Sequence, residues 1–312
     1  MIKKTLYFGN DVYLHTKDEQ VIIEYVDKSK PIARVPVEDV GVVILDAHRL
    51  TVSQRLISKL LENNVALITC DKKHMPQGLM LNLHGHNLQQ EKFTNQISAT
   101  KPLKKQLWQQ TIRQKINNQA SLLSMVTMIS LNELEKMDYW QRSVRSGDPD
   151  NYEARAAAFY WSKLFEVFIE TFTRGRFDEP PNNLLNYIYA VLRAVTARSL
   201  TASGLLPTFG IHHHNKYNAY ALADDIMEPY RPFADFLVYQ IMDENSDELE
   251  NTGTIELTTS IKSKLLVLPV MDVMIDGKRS PLMIAMQRTT ASLSACYDGV
   301  RRTVLYPSFP LD

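Results

Sequence analysis

Cysteine is scarce in this chain. Cys70 and Cys296 stand far apart and without metal-ligand spacing, which leaves no disulfide framework and suits a reducing cytoplasm. Net charge is also missing, since 35 basic residues balance 35 acidic ones. That weighs against a uniformly basic nucleic-acid binder, although the distribution of charge matters more than its sum. No apolar run approaches the ~18 residues needed to cross a bilayer. The start, MIKKTLYFGNDVYL, is charged but lacks an apolar stretch followed by small residues, so no secretory signal is expected. Internal repeats and low-complexity tracts are absent as well. What is present is length and apolar content: 312 residues, 45% hydrophobic, enough for a substantial core in one large domain or two unequal ones.

The balanced total hides two segments of opposite sign. From Lys92 to Asn132 there is no acidic residue, while Lys92, Lys101, Lys104, Lys105, Arg113 and Lys115 are basic. From Asp224 to Glu250 nine acidic residues accompany one basic residue, Arg231. A local basic face can attract phosphate, but Lys104, Lys105 and Arg113, taken by charge pattern alone, read as the solvated side of an amphipathic helix.

The first ~85 residues read as β-rich, with short β-branched or alternating runs at Thr5–Phe8, Val12–His15, Val21–Tyr25, Ile32–Val35, Val42–Leu45 and Val65–Thr69. One helix interrupts them, capped by Thr51 or Ser53, with Leu56, Ile57, Leu60 and Leu61 on its apolar face and Asn63-Asn64 at its end. The Gln/Asn-rich stretch 86–100 reads as a linker. Beyond it the apolar period becomes helical, with Pro102 in the first turn of a helix carrying Leu103, Leu107, Trp108, Ile112 and Ile116. Further helices are expected at ~151–174, ~181–202, ~219–243, ~255–266 and ~281–297. The fold class expected is therefore α+β: a small N-terminal β-rich domain (1–85), the linker (86–100) and a larger all-α catalytic domain (101–312).

Two separated stretches carry the chemistry. One, Gly147-Asp148-Pro149-Asp150-Asn151-Tyr152-Glu153, heads an alanine-rich helix. Asp150 or Asn151 can cap that helix, and Glu153 then falls in its first turn, where the dipole favours a carboxylate by ~0.3–1 kcal/mol. The other, Gly210 to Pro232, holds three histidines, three carboxylates and a Pro-Tyr-Arg-Pro. Imidazole with carboxylates is a donor set for a divalent metal acting on phosphates. His212, His213 and His214 cannot all face one ion, so at most one or two are ligands, and an exposed surface triplet is the alternative. Asp225 and Glu228, three apart on one helical face, repel unless a cation or proton lies between them. Pro229 and Pro232 disturb the helix there. Arg231 fits either an ion pair with the acidic pair or a bidentate grip on phosphate.

At these residues the chain resembles the CRISPR-associated integrase, the catalytic subunit of the spacer-acquisition complex, in the form found beside single-protein effector nucleases (type II systems). The resemblance lies in Asn151-x-Glu153 leading into the Ala-rich helix, in Gly204-Leu205-Leu206 through Gly210-Ile211-His212-His213-His214-Asn215, and in Asp225-Ile226-Met227-Glu228-Pro229-Tyr230-Arg231-Pro232. The closing segment from Ala285-Met286-Gln287 to Leu293 is similar too. It implies that a glutamate, a histidine and an acidic residue bind Mg²⁺ or Mn²⁺. Carried over, these are Glu153, His213 and Glu228, with His213 picked from the triplet by its spacing to Glu228 and Asp225 at a supporting position.

The resemblance further implies two linked transesterifications, in which the 3′-hydroxyls of a captured DNA duplex attack phosphodiesters at the edges of a CRISPR repeat. Both ions are expected to work, Mn²⁺ better, because imidazole shifts preference toward it. Water in place of the hydroxyl makes the same site an endonuclease. The implied partners are double-stranded DNA, a second copy in a homodimer formed partly by the β-domain, and a small adaptation subunit completing a heterohexamer, in a prokaryotic cytoplasm and without a membrane; a contact with the effector nuclease is left open. Arg145, Arg155, Arg231, Arg279 and Arg288 are candidate DNA contacts by position and charge. A metal-dependent repair nuclease with no integrase role, and a non-catalytic DNA-binding scaffold, stand as alternatives.

Overall fold

The computed structural model describes residues 3–28, 30–175 and 179–310. In chain order the first part contains β1 (Lys4–Phe8), β2 (Val12–Lys17), β3 (Gln20–Tyr25), β4 (Ala33–Pro36), β5 (Val40–Leu45), β6 (Thr51–Val52), helix α1 (Gln54–Glu62), β7 (Ala66–Cys70) and β8 (Pro76–Met80). They form two four-stranded sheets, ordered β1-β5-β7-β8 and β4-β3-β2-β6. The β1–β5 and β5–β7 pairs are parallel, and α1 lies in the crossover between β5 and β7, as parallel pairing requires. Of the two cap candidates, Ser53 is the one used: its hydroxyl accepts from the Leu56 amide at 3.3 Å, while Thr51 belongs to β6. Strands β6 and β8 are too short or too Gly- and Pro-interrupted to register as runs in the sequence.

β5, Val-Gly-Val-Val-Ile-Leu, is apolar almost throughout because both of its faces are covered. Val40 and Val43 point into a core shared with Val12, Leu14, Leu56 and Leu60. Val42 and Ile44 point the other way, into the core of the helical part.

The stretch 86–100 is not an open linker, since it contains α2 (Gln89–Ile97). Its polar side chains are committed to neighbours. Gln96 is buried, donates to the Leu206 carbonyl at 2.9 Å and accepts the Leu206 amide at 2.8 Å, and Lys92 and Asn95 both bind Asp298.

The helical part comprises α3 (Lys101–Val126), α4 (Leu131–Ser143), α5 (Tyr152–Leu164), α6 (Asn182–Ala202), α7 (Ala221–Met227), α8 (Arg231–Glu244), α9 (Ser246–Thr252), α10 (Thr259–Leu265) and α11 (Leu282–Tyr297). It is not wholly α: β9 (Asp272–Ile275) and β10 (Lys278–Pro281) form an antiparallel hairpin. The helix expected over 151–174 ends at Leu164, and α4 and α9 lie outside the expected spans. The span expected over 219–243 is broken between α7 and α8 by a 3-10 turn, Glu228–Tyr230, where Pro229 and Pro232 lack amide donors. Among the described residues no helix is long and apolar enough to cross a membrane.

Candidate active site

Helix α3 buries a polar stripe. Thr111, Lys115 and Asn118, spaced four and three apart, share its inward face and are all buried beside the apolar Ile112 and Ile116. Each has partners. Thr111 meets the Tyr306 hydroxyl at 2.7 Å, and the Asn118 amide donates to the carbonyls of Pro229 at 2.6 Å and Pro307 at 3.0 Å. Asn118 thereby pins the 3-10 turn that carries Glu228.

Lys115 lies between two carboxylates from distant parts of the chain. Its Nζ donates to Glu153 Oε1 at 2.7 Å and sits 2.7 Å from Glu228 Oε2. Among the described residues, the Lys115 ammonium is the one recorded neighbour of Glu228 Oε2. Glu228 Oε1 pairs with the Arg231 guanidinium at 3.0 Å. Glu228 is 4% exposed. Burial by itself raises its carboxyl pKa, but Arg231, Lys115 and His213 together outweigh it and hold the group below its ordinary value. Burial likewise works against the Lys115 ammonium, and Glu228 and Glu153 reverse the effect, so its pKa is raised.

Glu153 reaches this point from the first turn of α5. Neither Asp150 nor Asn151 caps that helix. The Asp148 carboxylate does, accepting the Tyr152 amide at 3.0 Å and the Glu153 amide at 2.9 Å, while Asp150 is gripped by Arg145. The turn is tied to α3 by the Gly147 amide, which donates to the Lys105 carbonyl at 3.0 Å.

The histidine loop is organised by Asp225, whose residue is fully buried. Its carboxylate accepts the amides of Ile211 at 2.7 Å, His212 at 2.9 Å and His213 at 3.3 Å, and also contacts His213 Nδ1. A carboxylate only accepts, so Nδ1 carries a proton, and in the neutral ring Nε2 is left with a lone pair. The Asp225 hydrogen bond, more than offsetting burial, raises the His213 pKa. Gly210 makes the loop possible: a Cβ there would come within 2.5 Å of the His213 carbonyl and 2.8 Å of Asp225 Oδ2. His212 is turned to other work, stacked flat on Trp108 with centroids 4.1 Å apart, and burial lowers its pKa. His214 is exposed.

The donor set fits a divalent metal in chemistry: two carboxylate groups that already converge on one cation, and an imidazole whose far nitrogen can coordinate when the ring is neutral. In this conformation, however, no three described His, Cys, Asp or Glu residues stand close enough together to hold an ion, and the ammonium of Lys115 is what the carboxylates share.

The five arginines are dispersed. Arg231 is the ion-pair partner of Glu228 and lies over the Tyr189 ring at 4.7 Å; Arg155 lies over Tyr152. Arg288 bonds Asp276 and the Ile275 carbonyl, and Arg279 is exposed on β10. Arg113, grouped above with a solvated face, instead donates to the Val144 and Arg142 carbonyls and holds the exit of α4. Lys115, Asn118 and Asp148 belong to the site although their residue types alone do not mark them. The available signal was a Thr-Lys-Asn stripe in register with the apolar face of α3, and an Asp followed by Pro five residues before Glu153.

The family described as CRISPR associated protein Cas1 matches residues 6–267. A CRISPR-associated endonuclease Cas1 of Neisseria meningitidis serogroup C (strain 8013) is 35% identical over 297 residues, covering 95% of this chain and 92% of the relative. Among solved structures, a casposase bound to its integration product superposes with a TM-score of 0.77 at 18% identity, covering 97% of this chain and 92% of that one. A chain of a Cas6-RT-Cas1–Cas2 complex gives a TM-score of 0.71 at 18% identity, over 99% of this chain and 36% of that one.

Proposed function

Because the chain belongs to the CRISPR-associated Cas1 family, we propose that it is a metal-dependent DNA endonuclease and integrase, with Glu153, His213 and Glu228 as the metal-holding catalytic residues. The observation that carries the reading is the meeting of buried Glu228 and half-buried Glu153, remote in sequence, around one positive charge. The similar Neisseria protein is named as an endonuclease and the similar casposase is bound to an integration product, which supports DNA strand chemistry here.

The two glutamates and His213 Nε2 would hold Mg²⁺ or Mn²⁺. That ion supplies Lewis acidity toward a scissile phosphate and lowers the pKa of an attacking hydroxyl. The chain's own residues prepare the site. Arg231 keeps Glu228 ionised, Asn118 fixes the turn beneath it, and Asp225 fixes both the tautomer and the direction of His213. In the strand transfer, the 3′-hydroxyl oxygen of the incoming duplex forms a new bond to phosphorus, the existing P–O bond breaks, and the departing oxygen takes up a proton. No Ser or Tyr nucleophile is needed. Beside the site, Lys101, Lys104, Lys105, Trp108, His212 and His214 line a cleft of about 450 Å³ whose charge suits DNA phosphates.

The partners in this reading are double-stranded DNA, a second copy of the chain and a small adaptation subunit of the Cas2 kind. The last is supported by the similar chain in a Cas6-RT-Cas1–Cas2 complex. The test is a joining assay with supercoiled plasmid, a short duplex with free 3′-hydroxyls, and Mn²⁺. The unmodified protein is expected to give joined product, and Glu153→Gln, His213→Ala and Glu228→Gln are each expected to lose roughly 100-fold or more of it. Full activity in all three variants sinks the site assignment, and cleavage without joining moves the protein to a repair nuclease.

A further inference from the structure

We infer that Lys115 is the resident cation of this site, holding Glu153 and Glu228 together until a divalent ion displaces its ammonium. The inference rests on the metal-site reading above and adds an occupant to it. Three observations carry it.

The first is placement: Nζ stands 2.7 Å from each carboxylate, one from α5 and one from the turn before α8, and these are the two carboxylates assigned to the ion. Two carboxylates directed at one point, Glu228 buried and Glu153 half-buried, repel unless a cation lies between them, so without metal something positive must be there. The second is cost. Lys115 is only 8% exposed, in a helix face that otherwise offers Ile112 and Ile116 to the core, and a buried ammonium is retained only where charges of opposite sign face it. The groups that face it are Glu153, Glu228, Arg231 and, more remotely through Glu228, His213. The third is the surroundings of that oxygen: among the described residues nothing but Lys115 is recorded beside Glu228 Oε2, so withdrawal of Nζ leaves its lone pairs for a metal ion.

Ammonium and metal cannot share the position, because a +1 and a +2 ion at contact distance repel strongly in a buried site. The flexible four-carbon stem of lysine lets Nζ withdraw without moving α3. Lys115 therefore competes with the metal and sets the concentration at which the site fills.

The experiment is Mn²⁺ binding followed by electron paramagnetic resonance, on full-length protein without DNA. Unmodified protein is expected to bind Mn²⁺, and Glu228→Gln to lose that binding. Lys115→Gln is expected to bind about tenfold more tightly than unmodified protein, and Lys115→Arg, which keeps the charge, no more tightly. In unmodified protein, the Lys115 ¹³Cε resonance should move toward that of exposed lysines on addition of Mg²⁺, a readout that stands even if Lys115→Gln fails to fold. Unchanged or weaker Mn²⁺ binding by a folded Lys115→Gln overturns the inference while leaving the metal site intact. An unmoved ¹³Cε resonance at saturating Mg²⁺ overturns it as well. If Glu228→Gln binds Mn²⁺ as well as unmodified protein, the metal-site reading itself fails and this inference goes with it.

Discussion

Asp225 does more in this site than a neighbouring carboxylate at helical spacing suggests. It gathers three backbone amides and one imidazole, and so converts a loop of three adjacent histidines into one aimed ring and two spectators. The protonated His213–Asp225 pair has a pH signature. The His213 pKa is raised above 6.5, so the stability it contributes is complete below 6.5 and is lost as pH rises through the raised folded value. Asp225→Asn should bring the His213 titration, followed by ¹³C NMR, down toward its ordinary value and flatten the stability profile above pH 6.5. It should also cost about 1–3 kcal/mol in a urea melt at low pH, since an amide cannot accept from all four donors. An unchanged titration would mean that Asp225 does not govern the ring. At this scale residue type and chemistry marked Glu153, the histidine triplet and Glu228 in the sequence, and the fold sets the two glutamates around one lysine. The sequence was silent on Lys115, because a lysine in a basic helical segment looks solvated until the helix face it occupies is known.

The elements explain how chemistry from remote segments is brought together. Two short connections aim the side chains: the Gly147–Asn151 turn before α5 and the Gly210–His214 loop before α7. Asp148 is the hinge of the first, and Asp148→Ala leaves the Tyr152 and Glu153 amides without acceptors at the very turn that positions Glu153. The expected cost is about 1–2 kcal/mol by thermal melt, the range of a lost N-cap, accompanied by a fall in strand joining; a loss of stability with full joining would show that Glu153 needs no such support. In the second connection, Gly210→Ala drives a methyl into the His213 carbonyl and the carboxylate of the buried Asp225. The loop must then shift, and weaker Mn²⁺ binding with a modest loss of melting temperature is expected; Mn²⁺ affinity equal to that of the unmodified protein would count against the loop as the arm that delivers His213. Periodicity located α1, α6, α10 and α11 well, because each buries one continuous apolar face. It missed α2, whose inward side is formed by Lys92, Asn95 and Gln96, bonded to Asp298 and to the Leu206 backbone, so that side carries polar groups where a stripe would be apolar. It also overran α5, since Phe165 and Phe168 pack against the core after the helix has ended.

Across the whole molecule, β5 and the buried pair Asp46–Lys262 join the strand-rich part to the helical part. Composition suggested two units and a connecting stretch, but the apolar run of β5 serves two cores at once, and the residue that follows it is tied to α10. Asp46 accepts from Lys262 at 2.7 Å and Tyr7 at 2.6 Å and bonds His74 at 2.8 Å, with side-chain exposures of 0% for Asp46 and 3% for Lys262. Burial by itself raises the Asp46 carboxyl pKa, and the hydrogen bonds from Lys262, Tyr7 and His74 outweigh it and hold the carboxyl below its ordinary 3.8. A depressed folded value means the contribution is present above 3.8 and is lost as pH falls through the folded value, so this tie is fully made at neutral pH. Lys262→Met leaves Asp46 buried without its cation and should destabilise the protein by about 3–5 kcal/mol. Pairing it with Asp46→Leu removes the stranded charge, and the double variant should recover most of that loss. The tie also makes a claim about cooperativity. All three tryptophans, Trp108, Trp140 and Trp161, lie in the helical part. Their fluorescence should therefore report the same denaturant midpoint as hydrogen exchange at β5 in the strand-rich part, and both should move together in Lys262→Met. Two midpoints that separate in the unmodified protein would mean that the strand-rich part folds as an independent unit and that the shared strand does not couple the cores.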